Sequence, residues 1–478
     1  MISHWFNFLL GTFIVIMQVL GILCAVRALF IARTPQASIA WGFSLICVPY
    51  IAIPIFLVFG ESRFAGYIRA ASGQNHQLDH VFRKIQALLK TNTGIFPAPY
   101  DLTDRIAERM TGLPSTEGND LKLLIDGRES FDAIFEAIDT AKNYLLVQFF
   151  VVTDDEIGGA LHAHLVAAAA RGVRIWVLID GVGSRKLSKA YFDSLHKAGV
   201  EVAHFVTNRQ IWKRFQINFR NHRKLVVADG ETVFVGGLNV GDQYMGKSKR
   251  FGPWRDTHMR ISGPAVDGFQ FTFIEDWNYA TGVVIHLNSP DPVQCGSAKV
   301  FTLASGPADA ISACQMVYLE AIHAAQTRLW IASPYFVPDF SLKLALQSAA
   351  LRGVDVRLML PQTPDHYLPW LSSFSFYPSL RRAGIKVFRY QPGFMHQKVL
   401  LADNAFAILG SINMDYRSFL LNFELSAGVH DEKFGARVEE MFLEDFRKCK
   451  EEDLNIFEHG SFWFRFKVRL AALLSPEQ

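Results

Sequence analysis

The residues best suited to chemistry in this 478-residue sequence form a motif that occurs twice. The six residues that carry it are His222, Lys224 and Asp229 in the first copy, and His396, Lys398 and Asp403 in the second. A tail follows each copy at one fixed spacing, with Gly237 and Asn239 in the first and Ser411 and Asn413 in the second. One His-x-Lys alone would say little, whereas two copies with matching tails indicate an internal repeat. The sequence therefore predicts two related units that each contribute to a functional site.

The motif predicts a phosphoryl-binding site. Each copy lies on a predicted strand, where residues i and i+2 face the same side, so its histidine and lysine project together. Asp229-Gly230 and Asp403-Asn404 are typical of hairpin turns, which would return the tail alongside them. Lysine and asparagine can hold phosphoryl oxygens while histidine attacks or transfers a proton, and two lysines supply the positive charge without a metal. The residues predicted to bind the phosphate are Lys224, Gly237, Asn239, Lys398, Ser411 and Asn413.

Supporting roles are predicted for four acidic residues. Asp229 and Asp403 belong to the candidate catalytic set. Along a strand, however, their side chains would face the side opposite to the histidine and lysine, which favours a role in capping turns or bracing a neighbour. A histidine acting on phosphorus also needs an acceptor on its other ring nitrogen, for which Asp256 and Glu424 are the candidates. The competing interpretation, a pair of hydrogen-bonded core histidines, does not explain two copies with equal spacing.

Alternating apolar strands and helices surround the motifs. Strands are predicted over 144–152 and 173–180, and helices over 156–170 and 186–198, after which the succession restarts about 180 positions later. This alternation predicts an α/β fold with mixed, mainly parallel sheets. We expect two similar domains, 121–290 and 291–460, related by a pseudo-two-fold axis. Residues 64–120, with a helical stretch near 80–89, are predicted to form a connector.

The N-terminus predicts a membrane anchor. Apolar runs at about 5–26 and 39–59 approach or reach the ~20 residues that a membrane-spanning helix needs, so residues 1–63 are predicted to form a transmembrane helical hairpin. A cleaved signal peptide fits poorly because a basic n-region is lacking and a second run follows at once. Two buried helices of a soluble domain are the other alternative. The numbers of Lys and Arg residues on the two sides of the spans are nearly equal, so the sequence does not predict on which side of the membrane the catalytic part lies.

Composition favours contact with lipid. Half of the residues are apolar, 40 are Phe, and the mean hydropathy is +0.15, whereas the net charge of +3 gives no bulk basic character for nucleic acid. Segments 211–215 and 462–469 combine aromatic residues with cations, and segment 367–377 is aromatic and nearly uncharged, so all three are candidates for contact with the membrane surface. Residues 461–478 are predicted to form an amphipathic tail. The five scattered cysteines indicate neither a metal site nor a disulfide framework.

The paired pattern His-x-Lys-x4-Asp-x6-Gly-(Gly/Ser)-x-Asn resembles that of the phospholipase D superfamily. With the membrane hairpin, the chain is most similar to the bacterial cardiolipin synthases of the two-spanning type. The resemblance covers nearly the whole chain, and the paired motif is specific for the superfamily but less so for the substrate. One departure between the copies is Gly237, which stands where the second copy has Ser411.

The resemblance implies a phosphatidyltransferase of the bacterial inner membrane that needs no cofactor. One histidine attacks phosphatidylglycerol and forms a phosphohistidine, and the other is the acid and base that lets a second phosphatidylglycerol accept the group, giving cardiolipin and glycerol. By analogy His222 is the nucleophile and His396 the acid/base, although the sequence alone leaves the reverse assignment open. The rivals are a membrane-anchored phospholipase D or phosphodiesterase that uses water, and a non-catalytic scaffold. No nucleic-acid partner is expected, and the oligomeric state is not predicted.

Overall fold

The structure is a computed structural model that describes residues 2–32, 35–60, 76–206, 219–287 and 290–475. The predicted lipid-contacting segment 211–215 lies outside these residues. The helices before the sheet are α1 (Ile2–Ile31), α2 (Pro35–Cys47), α3 (Pro49–Phe59), α4 (His76–Thr91) and α5 (Asp101–Thr111). The elements of the first half are β1 (Thr116–Ile125), α6 (Asp126–Thr140), β2 (Tyr144–Phe149), α7 (Glu156–Ala170), β3 (Arg174–Asp180), α8 (Lys189–Lys197), β4 (Glu201–Phe205), β5 (Arg220–Asn221), β6 (Leu225–Ala228), β7 (Thr232–Gly236), β8 (Trp254–Arg255), β9 (Thr257–Ser262) and α9 (Val266–Thr281). The elements of the second half are β10 (Ala298–Ser305), α10 (Ala313–Ala324), β11 (Arg328–Ala332), β12 (Phe336–Val337), α11 (Phe340–Leu351), β13 (Asp355–Pro361), α12 (Tyr367–Ser373), α13 (Tyr377–Ala383), β14 (Lys386–Tyr390), β15 (Phe394–Met395), β16 (Val399–Ala402), β17 (Phe406–Gly410), β18 (Met414–Asp415), α14 (Tyr416–Leu420), β19 (Asn422–His430), α15 (Glu432–Arg447), β20 (Cys449–Glu451), α16 (Ile456–His459) and α17 (Phe462–Leu473).

The N-terminal unit consists of α1 packed against α2 and α3. Within the described residues, the segment Trp5–Ile31 is long and apolar enough to cross a membrane, and it extends beyond the predicted end at residue 26. Gly21 allows close packing, because a Cβ at this position would lie 2.3 Å from the carbonyl oxygen of Leu45. The hydrophobic run at 39–59 is not one continuous helix. It breaks at Val48, since Pro49 lacks an N–H and disfavours helical geometry in the residue before it.

The α/β unit is built from a structural repeat. The strands of the first half run in the order β1-β9-β7-β6-β2-β3-β4, and those of the second in the matching order β10-β19-β17-β16-β11-β13-β14. The antiparallel pair β1 and β10 joins the two halves into one continuous sheet. This arrangement gives the duplicated α/β architecture with a pseudo-two-fold relation that the sequence predicts.

The expectation of a mainly parallel sheet is wrong. Within the main sheet, the described strands that are parallel neighbours are β2, β3 and β4 in the first half and β11, β13 and β14 in the second. The motif hairpins β6–β7 and β16–β17 enter the sheet beside these strands, and their neighbours are antiparallel. The mixed pairing therefore follows from placing a hairpin within each half.

The segment expected to be a connector packs onto the sheet halves. Helix α4 lies against α9, and α5 lies against α10 and β10. The ring of Tyr100, just before α5, stacks on Phe406 with centroids 4.3 Å apart, and its hydroxyl donates to Asp403 at 2.5 Å. Strand β1 also begins inside this segment, at Thr116. Residues 76–120 thus pack against both halves of the sheet.

The contact of Tyr100 with Asp403 gives a testable contribution to stability. We expect Tyr100→Phe to lower the free energy of unfolding by about 1.5–3 kcal/mol, because a hydrogen bond to a charged group is lost while the stack remains. Tyr100→Ala removes the stacked ring as well and should cost about 3–5 kcal/mol. Thermal unfolding of the detergent-solubilised protein, followed by tryptophan fluorescence, measures both. Equal stability of the Phe variant and the parent would contradict this role of the hydroxyl.

Candidate active site

Each motif lies at the start of a hairpin. His222 and Lys224 occupy the extended segment just before β6 rather than the strand itself, and His396 and Lys398 hold the same place before β16. The chain reverses after each strand, as the sequence predicts, and the returning strand ends at the glycine that opens the tail. The backbone N–H of Gly410, for instance, donates to the carbonyl of Lys398. Histidine, lysine and the tail of each copy are therefore neighbours.

The two motifs meet in one site because each histidine is held by the opposite half. The Nδ1 atom of His222 lies 3.0 Å from Glu424, and Nδ1 of His396 lies 2.8 Å from Asp256. The backbone crosses in the same way: the N–H of His222 donates to the carbonyl of Phe423, and that of His396 to the carbonyl of Arg255. Sequence reasoning identified both carboxylates but not this exchange between halves.

The crossed carboxylates define how each imidazole can react. Asp256 and Glu424 are fully buried, whereas the side chains of His222 and His396 are 12% and 9% exposed. An Nδ1–H that donates to a carboxylate fixes the tautomer, so Nε2 carries the lone pair. Two imidazoles with a lone pair on Nε2, each with a buried carboxylate behind it, are suited to nucleophilic attack and proton transfer.

Both lysines are buried beside the histidines. Lys224 Nζ donates to the carbonyl of His222 at 2.5 Å, and Lys398 makes the equivalent contact with His396. Burial lowers the pKa of Lys224 well below its ordinary value, although Glu424 opposes the shift. Burial also lowers the pKa of Lys398 to about 8, against the effect of Asp256. An anion bound between these lysines would favour their charged forms.

The histidines and their carboxylates have complementary pKa shifts. Burial lowers the pKa of His222 to about 4 and also lowers the pKa of His396. Burial alone would raise the pKa of Asp256, but Lys398 and His396 hold it below its ordinary value. Glu424 is held below its ordinary pKa by His222 in the same way. The site therefore contains ionised carboxylates and neutral imidazoles near neutral pH.

The motif asparagines differ in their contacts. Asn239 Oδ1 accepts the backbone N–H of Val151 at 3.1 Å, and its amide nitrogen lies 3.4 Å from the hydroxyl of Tyr244. Asn413 is buried, and its Oδ1 has no hydrogen-bond partner among the residues that the structure describes. A buried amide with an open position suits a polar ligand in the second half-site.

Gly237 and Ser411, predicted to bind phosphate, instead lie against the orienting carboxylates. Ser411 Oγ donates to Glu424 at 2.5 Å and accepts the N–H of Leu425 at 2.9 Å. A Cβ at Gly237 would lie 2.2 Å from Asp256 Oδ1. The prediction placed both residues on the ligand side because it did not foresee where the carboxylates of β9 and β19 would lie. Their position makes them supports for the carboxylates.

The two motif aspartates lie at the turns, away from the histidines. Asp229 accepts the backbone N–H groups of residues 142–144 at 2.7–2.9 Å, and Asp403 accepts those of residues 326–328. Both have positive φ, 54° and 52°, which aspartate tolerates better than most residues. Grouping them with the catalytic residues does not match this geometry, whereas the alternative of a brace for the backbone does.

A second pair of buried aspartates supports the motifs from the far side of the strands, and sequence reasoning missed it. Asp276 on α9 accepts Arg223, the residue between the first His and Lys, at 2.7 Å. Asp445 on α15 accepts Gln397, its counterpart, at 3.0 Å. The middle residue of His-x-Lys must point away from its neighbours, so strand alternation could have predicted an opposite-face partner but not its identity. Within the described ranges, no group of three or more His, Cys, Asp or Glu side chains is arranged to hold a metal ion.

Comparison with known proteins supports one family. A family model described as cardiolipin synthase, PLD-like domain, matches residues 134–250 and 318–446. Cardiolipin synthase A of Pseudomonas putida (strain GB-1) is 42% identical over 480 residues, which cover 99% of this chain and 98% of that protein. Cardiolipin synthase A of Pseudomonas fluorescens (strain SBW25) is 43% identical over 475 residues, or 98% of each. Among solved structures, phosphatidylserine synthase of Haemophilus influenzae Rd KW20 superposes with a TM-score of 0.63 at 16% identity, covering 79% of this chain and all of that one; at this identity the similarity concerns the fold.

The pKa of Lys398 makes anion binding depend on pH. Lysine is charged below its pKa, so its attraction for a phosphodiester is present below pH 8 and is lost as the pH rises through that value. We expect the Kd of a water-soluble phosphodiester such as dimethyl phosphate to rise up to about tenfold per pH unit above 8. Titration calorimetry across that range measures it.

Two variants complete this test. Lys398→Arg keeps a charged group, so its weakening should begin at a higher pH, whereas Lys197→Arg on α8 should behave like the parent. A Kd that stays constant across pH 8 in the parent would contradict the assignment of Lys398 as the titrating cation.

Proposed function

The chain belongs to the cardiolipin synthases of the PLD-like family, and on that premise we propose that it transfers a phosphatidyl group between two phosphatidylglycerol molecules through a phosphohistidine on His222. Cardiolipin and glycerol are the products. The observation that carries the mechanism is the crossed pair of imidazoles, His222 on Glu424 and His396 on Asp256, in one site with two buried lysines.

In the first step His222 is the nucleophile. Its Nε2 lone pair attacks the phosphorus of phosphatidylglycerol, and the bond from phosphorus to the glycerol oxygen breaks. Glu424 stabilises the positive charge that develops on the ring, and the lysines neutralise the phosphoryl oxygens. His396, protonated in the complex with the anionic lipid, donates its proton to the departing glycerol. Lys224 and Lys398, with the side-chain amide N–H groups of Asn413 as donors, are the proposed phosphate ligands.

In the second step His396 changes from general acid to general base. It is now neutral and accepts the proton of a hydroxyl group on a second phosphatidylglycerol, whose oxygen forms the new bond to phosphorus. The bond between phosphorus and Nε2 of His222 breaks, and cardiolipin leaves. Asp256 stabilises His396 whenever the ring carries the proton. The two carboxylates therefore have matched tasks in successive steps.

Product analysis of histidine variants tests the proposal. We expect His222→Ala to reduce the formation of cardiolipin from phosphatidylglycerol by more than about 1,000-fold, since no covalent intermediate forms. His396→Ala should lose about 100- to 10,000-fold, the contribution of general acid–base catalysis. Lipid chromatography of detergent assays resolves the products.

The same assay has a control variant, and two of its outcomes would contradict the proposal. His323→Ala, an exposed histidine on α10, should retain the parent rate. Phosphatidic acid without cardiolipin would identify water as the acceptor and overturn the synthase assignment. Full activity of His222→Ala would overturn the covalent mechanism.

We also propose how the chain meets the membrane. Residues 1–63 form the anchor with two spans, 64–120 are the connector, 121–290 and 291–460 are the two phospholipase D-like domains, and 461–478 are the tail. The cell membrane of a bacterium, the inner one where there are two, is the proposed location. The long apolar helix α1 and the substrate, which is itself a lipid, support this organisation.

Helix α17 of the tail is proposed to lie on the anionic lipid surface. Its apolar residues Phe462, Trp463 and Phe466 are 65%, 66% and 49% exposed, and the cations Arg465 and Lys467 flank Phe466 in the sequence. Exposed aromatic rings next to cations suit the headgroup region of an anionic bilayer. The helix packs on α12, so its exposed face extends a surface of the second half.

Quenching by brominated lipid tests this orientation of α17. In phosphatidylglycerol vesicles with bromine on the acyl chains, the fluorescence lost on Trp463→Phe substitution should be strongly quenched in the parent, because the ring is immersed in lipid. Trp330→Phe, which removes a buried indole, should remove an unquenched fraction. If Trp463 is quenched by aqueous iodide and not by the bromolipid, the helix does not lie on the membrane.

A further inference from the structure

A phenol and a carboxylate that the proposed mechanism does not use form a pair in the second half. The hydroxyl of Tyr335 donates to Asp365 Oδ2 at 2.5 Å. The Asp365 side chain is 15% exposed, and its Oδ1 accepts the N–H of His366 at 2.6 Å. Burial, and to a lesser extent the charge of Asp365, raises the pKa of Tyr335 well above its ordinary value, so the phenol keeps its proton and remains a hydrogen-bond donor. The carboxylate keeps lone pairs that can accept further hydrogen bonds.

The backbone places this pair beside the second half-site. Strands β12 and β18 are parallel with Phe336 opposite Met414, so Tyr335 lies alongside Asn413, the motif residue with an unpaired Oδ1. Ser333 Oγ links the segments around β12 and β18, since it donates to the carbonyl of Tyr335 and accepts the N–H of Met414.

The charge of Asp365 also reaches the reacting groups. Burial lowers the pKa of His396, and Asp365 is among the charges that oppose the shift. The same charge opposes the effect of burial on Lys398. From the first half, Arg250 donates to the backbone carbonyl of Asp365 at 3.3 Å and so joins the segment to the other side of the site.

The first half lacks this pair. The matched strands β2 and β11 put Val151 where the second half has Tyr335, and the matched strands β3 and β13 put Ser184 where it has Asp365. Ser184 Oγ is engaged with the backbone, donating to the carbonyl of Phe150 and accepting the N–H of Val152. At these two matched positions, the half that contains His396 therefore has a phenol–carboxylate pair where the half containing His222 has Val151 and Ser184.

A carboxylate repels a phosphate but accepts hydrogen bonds from neutral hydroxyl groups. We propose that Asp365, held by Tyr335, binds the glycerol hydroxyls of the acceptor and so selects a polyol over water or a simple alcohol. This assignment rests on the proposed function and names the part of the site where the second substrate's headgroup lies. One hydroxyl of the glycerol is held by Asp365 while the neighbouring hydroxyl faces His396.

In the transfer step the proton, the phosphoryl group and the leaving nitrogen each have a defined partner. The free hydroxyl passes its proton to Nε2 of His396, and its oxygen forms a bond to phosphorus as the bond from phosphorus to Nε2 of His222 breaks. Asp365 exchanges no proton and holds the acceptor in place. It is a specificity-determining residue for the acceptor, and its substitution should change which alcohol is used.

Competition between two alcohols tests the subsite. The full-length protein in detergent receives phosphatidylglycerol with equal concentrations of ¹³C-glycerol and ethanol, and mass spectrometry measures labelled phosphatidylglycerol against phosphatidylethanol. We expect Asp365→Asn to lower this ratio at least about tenfold, the effect of weakening a hydrogen bond to a charged group. Tyr335→Phe should lower it several-fold, and Asp193→Asn, an exposed change on α8, should leave it at the parent value.

A ratio that stays at the parent value in both site variants overturns the subsite, even if total turnover falls, because a merely structural role slows both products alike. If Asp365→Asn does not fold, the ratio for Tyr335→Phe decides. A parent enzyme that makes both products but never cardiolipin overturns the proposed function while the ratio still tests the subsite. A parent that makes cardiolipin but neither alcohol product overturns the subsite alone, and a parent that makes none of the three overturns phosphatidyl transfer as well.

Discussion

The hydrogen bonds between each imidazole and the carboxylate of the opposite half are the interaction on which the structure depends. Asp256 and Glu424 are ionised groups with no exposed surface, and such groups are tolerated only when they are paired and hydrogen-bonded. Removing one partner of such a pair costs about 3–5 kcal/mol. Because the partners come from different halves, neither half can satisfy its own buried charge. The antiparallel pair β1 and β10 fixes the halves in the register that this exchange requires.

The two half-sites share a backbone plan but differ in the groups that support it. Glu424 is held by Ser411 and by Asn422, whereas Asp256 has Gly237 behind it, where any side chain would collide with the carboxylate. A longer carboxylate with a serine and a shorter one with a glycine are two solutions for placing an oxygen near Nδ1. The proposed reaction has two unlike steps, so the duplicated halves have no reason to remain identical.

The sequence predicts much of this site because repetition is a long-range signal. Equal spacing from histidine to lysine, to the turn and to the tail predicts two hairpins, and the turns lie where Asp229 and Asp403 indicate. Helix α7 begins and ends where the pattern predicts because Asp155 caps it and its apolar face is regular. The two orienting carboxylates could also be named, since they follow shortly after each hairpin.

What could not be predicted concerns contacts between distant segments. Nothing local distinguishes Glu424 as the partner of His222 from Glu424 as the partner of His396; the register between halves decides it. The roles of Gly237 and Ser411 depend on the same register, as do the opposite-face partners Asp276 and Asp445. The prediction of a mainly parallel sheet was wrong because strand length and hydrophobicity do not reveal the direction in which a hairpin enters the sheet.

The crossed pairing is tested most directly by the burst of p-nitrophenol from phosphatidyl-p-nitrophenol, a donor whose leaving group needs no proton. In Asp256→Asn the proposed nucleophile, His222, keeps its carboxylate while the proposed base that completes turnover is impaired, so a burst equal to the enzyme concentration should precede a slow steady state. In Glu424→Gln the nucleophile itself loses its orientation, and no burst should appear. The reverse pattern, or the same behaviour in both variants, would contradict the account.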